Sequence, residues 1–192
     1  MYTLFISTFD KIITIGLLKD GKVLDTNIKE STQNHSVYTM PMIESILNKN
    51  EVDVKKIGEI IVVNGPGSFT GVRIGVTIAK TFAYTLNIPI KTITSLLAYA
   101  VSLDSNDKKV ITISDMKGKY VGYFDYNNKV IDYIYLKNSE FSEYIKDKEK
   151  YLVVDNKFDL EKIYKYLLNV ESTLSHNVNP IYIKGIDALN GK

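Results

Sequence analysis

The spacing of apolar residues changes period several times along the chain, and each change marks an element. Three runs rich in Ile, Leu, Thr and Phe come first, at Tyr2–Thr8, Lys11–Lys19 and Lys22–Lys29. They predict strands joined by tight hairpin turns at Phe9-Asp10 and Asp20-Gly21. Met40, Ile43, Ile46 and Leu47 then recur at helical intervals, which predicts a helix over Ser36–Asn50. Pro41 either opens that helix in its first turn or kinks it. Glu59–Asn64 is an apolar run bounded by turn residues, the pattern of a buried central strand. The loop Gly65–Gly71 leads into a second helix reaching about Leu86, where Asn87-Ile-Pro89 stops it. A short strand at Ile90–Thr94 and a helix over Ser95–Leu103 complete the first half.

Beyond the polar stretch Asp104–Lys109 the pattern repeats. Val110–Asp115, Lys119–Tyr126 and Lys129–Lys137 predict three strands, the last two joined by a turn at Asn127-Asn128. Ser139–Asp147 predicts a helix capped by Ser139, Tyr151–Asp155 a strand, and Asp159–Asn169 a helix whose apolar side holds Leu160, Ile163, Tyr164, Leu167 and Leu168. Each half thus reads strand-strand-strand-helix-strand-helix. Duplicated βββαβα units of this kind predict an α/β fold of the actin-like, sugar-kinase-like (ASKHA) class, the alternative being an unrelated α+β pair of domains. The domains expected are residues 1–105 and 106–192. The tail after Thr173 has little periodicity, and Pro180-Ile-Tyr-Ile-Lys184 is either a docking strand or an extended arm.

Charge and composition narrow the function. The chain has 24 basic and 22 acidic residues among 192, a net charge of +2. The halves split them evenly, 10 against 9 up to Ser105 and 14 against 13 after it, so no basic face for nucleic acid emerges. Absence of cysteine excludes disulfides, thiolate metal sites and a cysteine nucleophile. The N-terminus lacks a basic leader and no apolar run approaches the roughly 20 residues that span a bilayer, so a cytoplasmic protein is expected. All basic residues are lysines except one, Arg73.

Candidate chemistry concentrates at Asn64-Gly-Pro-Gly-Ser-Phe-Thr-Gly-Val-Arg-Ile-Gly75. Gly65, Gly67 and Gly71 permit a tight strand-to-helix connection. That connection either leaves amides free for an anion or is a turn that binds nothing. It is not a Walker A loop, because no Gly-Lys-Ser/Thr stands at the needed spacing. In the following helix Gly71, Gly75, Ala79 and Ala83 recur every four residues and form a smooth stripe. Val72, Ile74, Val76, Ile78, Phe82 and Leu86 make the same helix apolar on more than one side. It is buried either between its own sheet and the Ser36–Asn50 helix or against a second protein. Arg73 lies near the positive end of the helix, where a cation is disfavoured. It serves either a carboxylate or phosphate partner or the chain itself. His35 and His176 are the only histidines, and neither has a second ligand four residues on. Asp10 and Asp115, at the turns after the first strand of each half, are solvated turn residues or would face a cleft and hold hydrated Mg²⁺.

The segment Gly65-Pro-Gly-Ser-Phe-Thr-Gly-Val-Arg-Ile-Gly75 closely resembles the signature of the TsaB (YeaZ) family, and the likeness continues through Ala79-Lys80, Asn87-Ile-Pro89 and Thr94-Ser-Leu96. Looser echoes are His35-Ser36, Pro41-Met-Ile43, Asp115-Met-Lys-Gly-Lys-Tyr120 and Pro180-Ile-Tyr-Ile-Lys184. The resemblance implies an actin-like fold and a role in forming N6-threonylcarbamoyladenosine at position 37 of tRNA. It implies a subunit with no catalytic residues, metal or cofactor of its own, which binds and activates a TsaD-type transferase as a heterodimer. A TsaE-type ATPase joins through the complex, TsaC supplies the threonylcarbamoyl-adenylate, and tRNA is contacted only indirectly. A homodimer is expected when the chain is alone.

The family contact is a helical bundle, here the helices Ser36–Asn50 and Gly71–Leu86. The residues so implied are Met40, Ile43, Leu47, Gly71, Arg73, Ile74, Gly75, Ile78, Ala79 and Phe82. The signature loop is Gly65, Pro66, Gly67, Ser68, Phe69, Thr70 and Gly71. Two departures favour a pseudo-enzyme. Ser7 stands where many relatives carry an acid, and Thr39 where TsaD-like proteins place a second metal histidine. The chain also ends early for the full nucleotide-binding subdomain of the related kinases. The rival reading is an ATP-dependent phosphotransferase of the sugar-kinase-like class, relying on Asp10 or Asp115. A metallopeptidase would need a metal site the sequence lacks.

Overall fold

A computed structural model describes residues 1–31, 34–104, 107–146 and 157–183. Strands β1 (Tyr2–Ser7), β2 (Ile12–Lys19) and β3 (Lys22–Glu30) form an antiparallel meander. Asp20 and Gly21 both take positive φ, 50° and 78°, as a two-residue hairpin with the right-handed twist requires. Helix α1 (His35–Lys49) leads through a turn at Val54–Lys56 into β4 (Ile57–Val63). Helix α2 (Phe69–Leu86), β5 (Ile90–Ile93) and α3 (Ser95–Ser102) follow. The strand order is β3-β2-β1-β4-β5, with β4 parallel to both β1 and β5. A meander extended by two parallel crossovers is the actin-like unit expected for the first half.

The central strands are covered on both faces, and β1 and β4 accordingly read as near-continuous apolar runs. Helices α1 and α2 lie together on one face, α2 against β4 and β1. α2 starts on a Ser68 cap whose hydroxyl accepts from the Gly71 amide at 3.2 Å, and it ends on Asn87 in the left-handed conformation. Pro41 lies inside α1, so it does not open the helix.

The second half begins with an antiparallel meander, β6 (Lys109–Ser114), β7 (Gly118–Phe124) and β8 (Val130–Lys137). Helix α4 (Asn138–Tyr144) follows and buries Phe141 against Val110, Val121 and Leu136. Its N-cap position is Lys137; Ser139 falls within the helix, and the Glu140 carboxylate reaches back to the Lys137 amide at 2.9 Å instead. The strand expected at Tyr151–Asp155 lies outside the described residues. Lys109 is no linker residue: it is fully buried at the start of β6, its ammonium 3.2 Å from the Ala100 carbonyl.

Helix α5 (Leu160–Leu167), capped by Asp159, crosses back to the first sheet. Leu160 fills the space above Gly16, and Tyr164 the space above Gly21. With α3, which packs on α5 and on β6 and β7, it covers the sheet face opposite α1 and α2. One apolar cluster therefore runs from Leu4, Ile60 and Ile93 through Leu96 and Tyr99 to Ile111, Phe124 and Ile163. Among the described residues no helix is long and apolar enough to cross a membrane.

Candidate functional site

Two places bear on function: the loop joining β4 to α2 with the β1–β2 turn beneath it, and the outer surface of α1 and α2.

The loop is a packing device. A side chain on Gly67 would run into the Phe9 carbonyl, and one on Gly71 into the Thr8 carbonyl. Gly65 has φ +102°, and an added Cβ would press on the Ile181 carbonyl. Much of the loop's polar backbone is bonded within the chain. Ser68 donates its amide to Phe9 at 2.6 Å, Ser95 donates its amide to Gly65 at 2.9 Å and its hydroxyl to Pro66 at 2.6 Å, and the Thr8 hydroxyl donates to Gly71 at 2.7 Å. The tight-turn reading therefore accounts for the glycines.

The turn below the loop is filled by rings. Phe9 is 1% exposed and meets Tyr99 edge-on at 6.0 Å; Tyr99 stacks on Phe158 at 4.7 Å. Asp10 is half-buried and accepts the Ile12 amide at 2.8 Å, and burial raises its pKa above the ordinary aspartate value. Asp115 accepts from Lys117, Gly118 and the Tyr135 hydroxyl, closing the β6–β7 turn. Both aspartates thus serve turn structure. His35 opens α1 and donates Nε2–H to the Asp10 carbonyl. Thr39 is buried with its hydroxyl on the His35 carbonyl at 2.6 Å, and Ser7 is fully buried. Among the described residues no group of three or more His, Cys, Asp or Glu is placed to hold a metal.

The outer surface holds only part of the expected interface. Gly71, Gly75 and Ala79 face inward: Gly75 abuts the Thr8 hydroxyl, and Ala79 is fully buried. The smooth stripe therefore admits the chain's own β1, and the expectation that it receives a partner helix is corrected on this point. Ile43 and Leu47 are also buried, 1% and 6% exposed, and reach the surface only at the floor of a groove. Met40 and Arg73 are exposed, and Ile74, Ile78 and Phe82 half-buried. Of the signature loop, Gly65 and Pro66 are buried, Gly67 is half-buried, and Ser68, Phe69 and Thr70 are exposed. The outward ridge of α2 presents Thr70, Thr77 and Thr81 beside Ile74 and Ile78. On its α1 side lies an open groove of about 560 Å³ between Met40, Leu47, Val54 and Phe82.

On the other side of α2 lies the C-terminal segment, an extended arm outside any ladder over Asn179–Ile183. Ile181 donates to the Asn64 carbonyl at 2.8 Å, and the Asn64 amide donates to Asn179 at 3.2 Å. The Lys80 ammonium bonds the carbonyls of His176 and Val178. Arg73 donates Nε–H to the Tyr182 hydroxyl at 2.9 Å and lies 3.7 Å over the Phe69 ring. Val37, 60% exposed on α1, and Tyr182 were not among the sequence-derived candidates. Val37 stands three residues before Met40 and continues the apolar spacing of α1, a signal that could have found it. Tyr182 is distant from Arg73 in sequence, and only the family-like Pro180–Lys184 segment hinted at it.

A family model described as TsaD, tRNA N6-adenosine threonylcarbamoyltransferase, matches residues 23–133, more than half of the chain. The tRNA threonylcarbamoyladenosine biosynthesis protein TsaB of Bacillus subtilis (strain 168) is 38% identical over 136 residues, 70% of this chain and 59% of that protein. The protein of the same name from Buchnera aphidicola subsp. Baizongia pistaciae is 30% identical over 206 residues, 90% of this chain and 93% of that one. The solved structure of YeaZ from Pseudomonas aeruginosa superposes with a TM-score of 0.77 at 17% identity, over 94% of this chain and all of that one, which is a likeness of fold.

Proposed function

Because the chain belongs to the TsaB family of tRNA threonylcarbamoyladenosine biosynthesis proteins, we propose that it is the non-catalytic subunit that binds and activates a TsaD-type threonylcarbamoyltransferase. The observation that carries this reading is the apolar surface left on α1 and α2. Val37 and Met40 are 60% and 45% exposed on α1, and Met40 edges a groove walled by Phe82 and floored by Ile43 and Leu47; Phe69, 43% exposed, adds apolar surface at the start of α2. Contiguous apolar patches of this kind mark interaction sites on soluble proteins. A helix of the partner laid along the Thr70–Thr77–Thr81 ridge would put one apolar side chain row into that groove.

The β1–β2 turn supports the non-catalytic part. Phe9, Tyr99 and Phe158 fill the space beside it, Ser7 offers no charge, and Thr39 is bonded back to its own helix. Residues 1–105 then form the docking subdomain and residues 106–192 the second actin-like unit, in a cytoplasmic protein. A TsaE-type ATPase joins through the assembled complex, tRNA is held by the partner, and the same face closes a homodimer when the chain is alone.

The test is co-purification with the TsaD-type protein of the same organism, followed by tRNA threonylcarbamoylation with and without this chain. A stable complex whose activity needs the chain is expected. Absence of a complex, with ATP turnover by the chain alone, would replace this reading with the phosphotransferase one.

A further inference from the structure

Arg73 is the only arginine in the chain, and its setting is built from two segments, α2 and the C-terminal arm. Phe69, one turn earlier in α2, lies under it at 3.7 Å. Tyr182, from the C-terminal arm, accepts its Nε–H at 2.9 Å, and the Tyr182 ring lies 5.2 Å from the Phe69 ring. The arm is tied to the loop through Ile181 and Asn179, so the Tyr182 hydroxyl has a fixed origin. Arg73 nonetheless remains exposed, in the second turn of α2, near the end of the helix where a cation gains nothing. Holding Nε and the plane of the group leaves the two terminal amino groups aimed away from Tyr182, the arrangement that grips two oxygens of one anion.

We propose that Tyr182 is a positioning residue that, with Phe69, presents the Arg73 fork at the edge of the α1–α2 face to a carboxylate, an Asp or Glu side chain of the protein that docks there. This rests on the reading of that face as the docking surface. One carboxylate fits better than a nucleic-acid backbone, because a phosphate track needs several cations in a row. The neighbouring Lys80 instead turns its ammonium onto the carbonyls of His176 and Val178. Carboxylate and planar guanidinium match one to one.

The experiment measures the dissociation constant of the full chain for the TsaD-type protein of the same organism, over a range of salt. The chains compared are wild type, Arg73→Ala, Arg73→Lys, Tyr182→Phe and Arg73→Ala/Tyr182→Phe. Arg73→Ala is expected to weaken binding about tenfold or more and to flatten its salt dependence. Arg73→Lys keeps the charge without the fork and should fall between. Tyr182→Phe keeps the ring and should cost about threefold, and the double variant should bind no worse than Arg73→Ala, because Tyr182 acts through Arg73. Thermal melts should coincide for all five. Wild-type binding with Arg73 variants that bind as wild type, or additive losses in the double variant, would overturn the proposal and leave the docking reading standing. Loss of tRNA affinity by the assembled complex, with the affinity between the two proteins unchanged, would overturn it in favour of a phosphate. A wild-type chain that does not bind the partner at all would overturn both.

Discussion

The inner and outer faces of α2 are built from similar stock, small and apolar residues at helical spacing, yet they meet different neighbours. The inner face buries Gly71, Gly75, Ala79 and Ala83, and Gly71 and Gly75 lie so close to the end of β1 that the Thr8 hydroxyl occupies the place of a Gly75 side chain. The outer face carries bulkier groups, Ile74, Ile78 and Phe82, half-covered and flanked by α1 on one side and the arm on the other. The inner residues are small because a strand lies there already. The outer residues are larger, and Phe82 lines an open groove beside α1. Size therefore separates the face that makes the fold from the face offered outward.

The sharpest way to break this contrast is to add bulk inside. Gly75→Leu should destabilise the chain by roughly 3 kcal/mol or more, since the added bulk meets the short, fully buried side chains of Thr8 and Ile6, which have no room to give way. Ala79→Trp should behave alike. Reduced solubility and a lowered melting temperature are the expected readouts; a normally melting Gly75→Leu protein that fails only in partner binding would return the stripe to the outside. Charge placed outside should do the reverse. Phe82→Asp is expected to change stability by only about 1 kcal/mol while lowering affinity for the TsaD-type partner about tenfold or more, read by thermal melt and by titration.

Smaller changes sharpen the inner contact. Thr8→Val keeps the shape but removes the buried bond to the Gly71 carbonyl, and should cost about 1 kcal/mol in a denaturant titration. Asp10, in the adjoining turn, has its pKa raised mainly by burial, so the folded chain holds its proton to higher pH than the unfolded chain does. Stability then falls as pH rises from the ordinary aspartate value through the folded one, and the penalty persists above it. Asp10→Asn should remove that slope and be no less stable at neutral pH, because its amide oxygen still accepts the Ile12 amide. Melts between pH 3 and 7 check it, the wild type losing stability over that range relative to Asp10→Asn.

Much of the fold was legible because the first half obeys local rules. Its strands, helices and turns fall within a residue or two of the apolar pattern, and Asn87-Ile-Pro89 ends α2 as expected. The neighbours of a face were harder to read. A four-residue repeat of Gly and Ala says that something approaches closely, and it does not say whether that is a helix or a strand. A clue was present: a glycine early in a helix that follows a strand and a tight loop often serves close helix–strand packing. Ser139 resembled a cap by residue type, but the chain enters the helix earlier, and Lys137 and Glu140 close the turn. Of the candidate interface residues, Met40 and Arg73 are exposed, as a surface role requires. Tyr182 was not among the candidates, because its role depends on an arm returning across the molecule from beyond α5.

That return has an analogue on the opposite face of the first sheet. Glu161 takes hydrogen bonds from Lys22 and Val23, 139 and 138 residues earlier, and Leu160 closes the hollow at Gly16. In the order of synthesis, the first strands to be made are the last to be roofed. Until α5 is translated, the Phe5 side of the sheet has only α3 over it, and a nascent chain halted after α3 would leave the part under Leu160 and Phe158 open. The late helix thus ties the closure of the first sheet to residues made long after its strands.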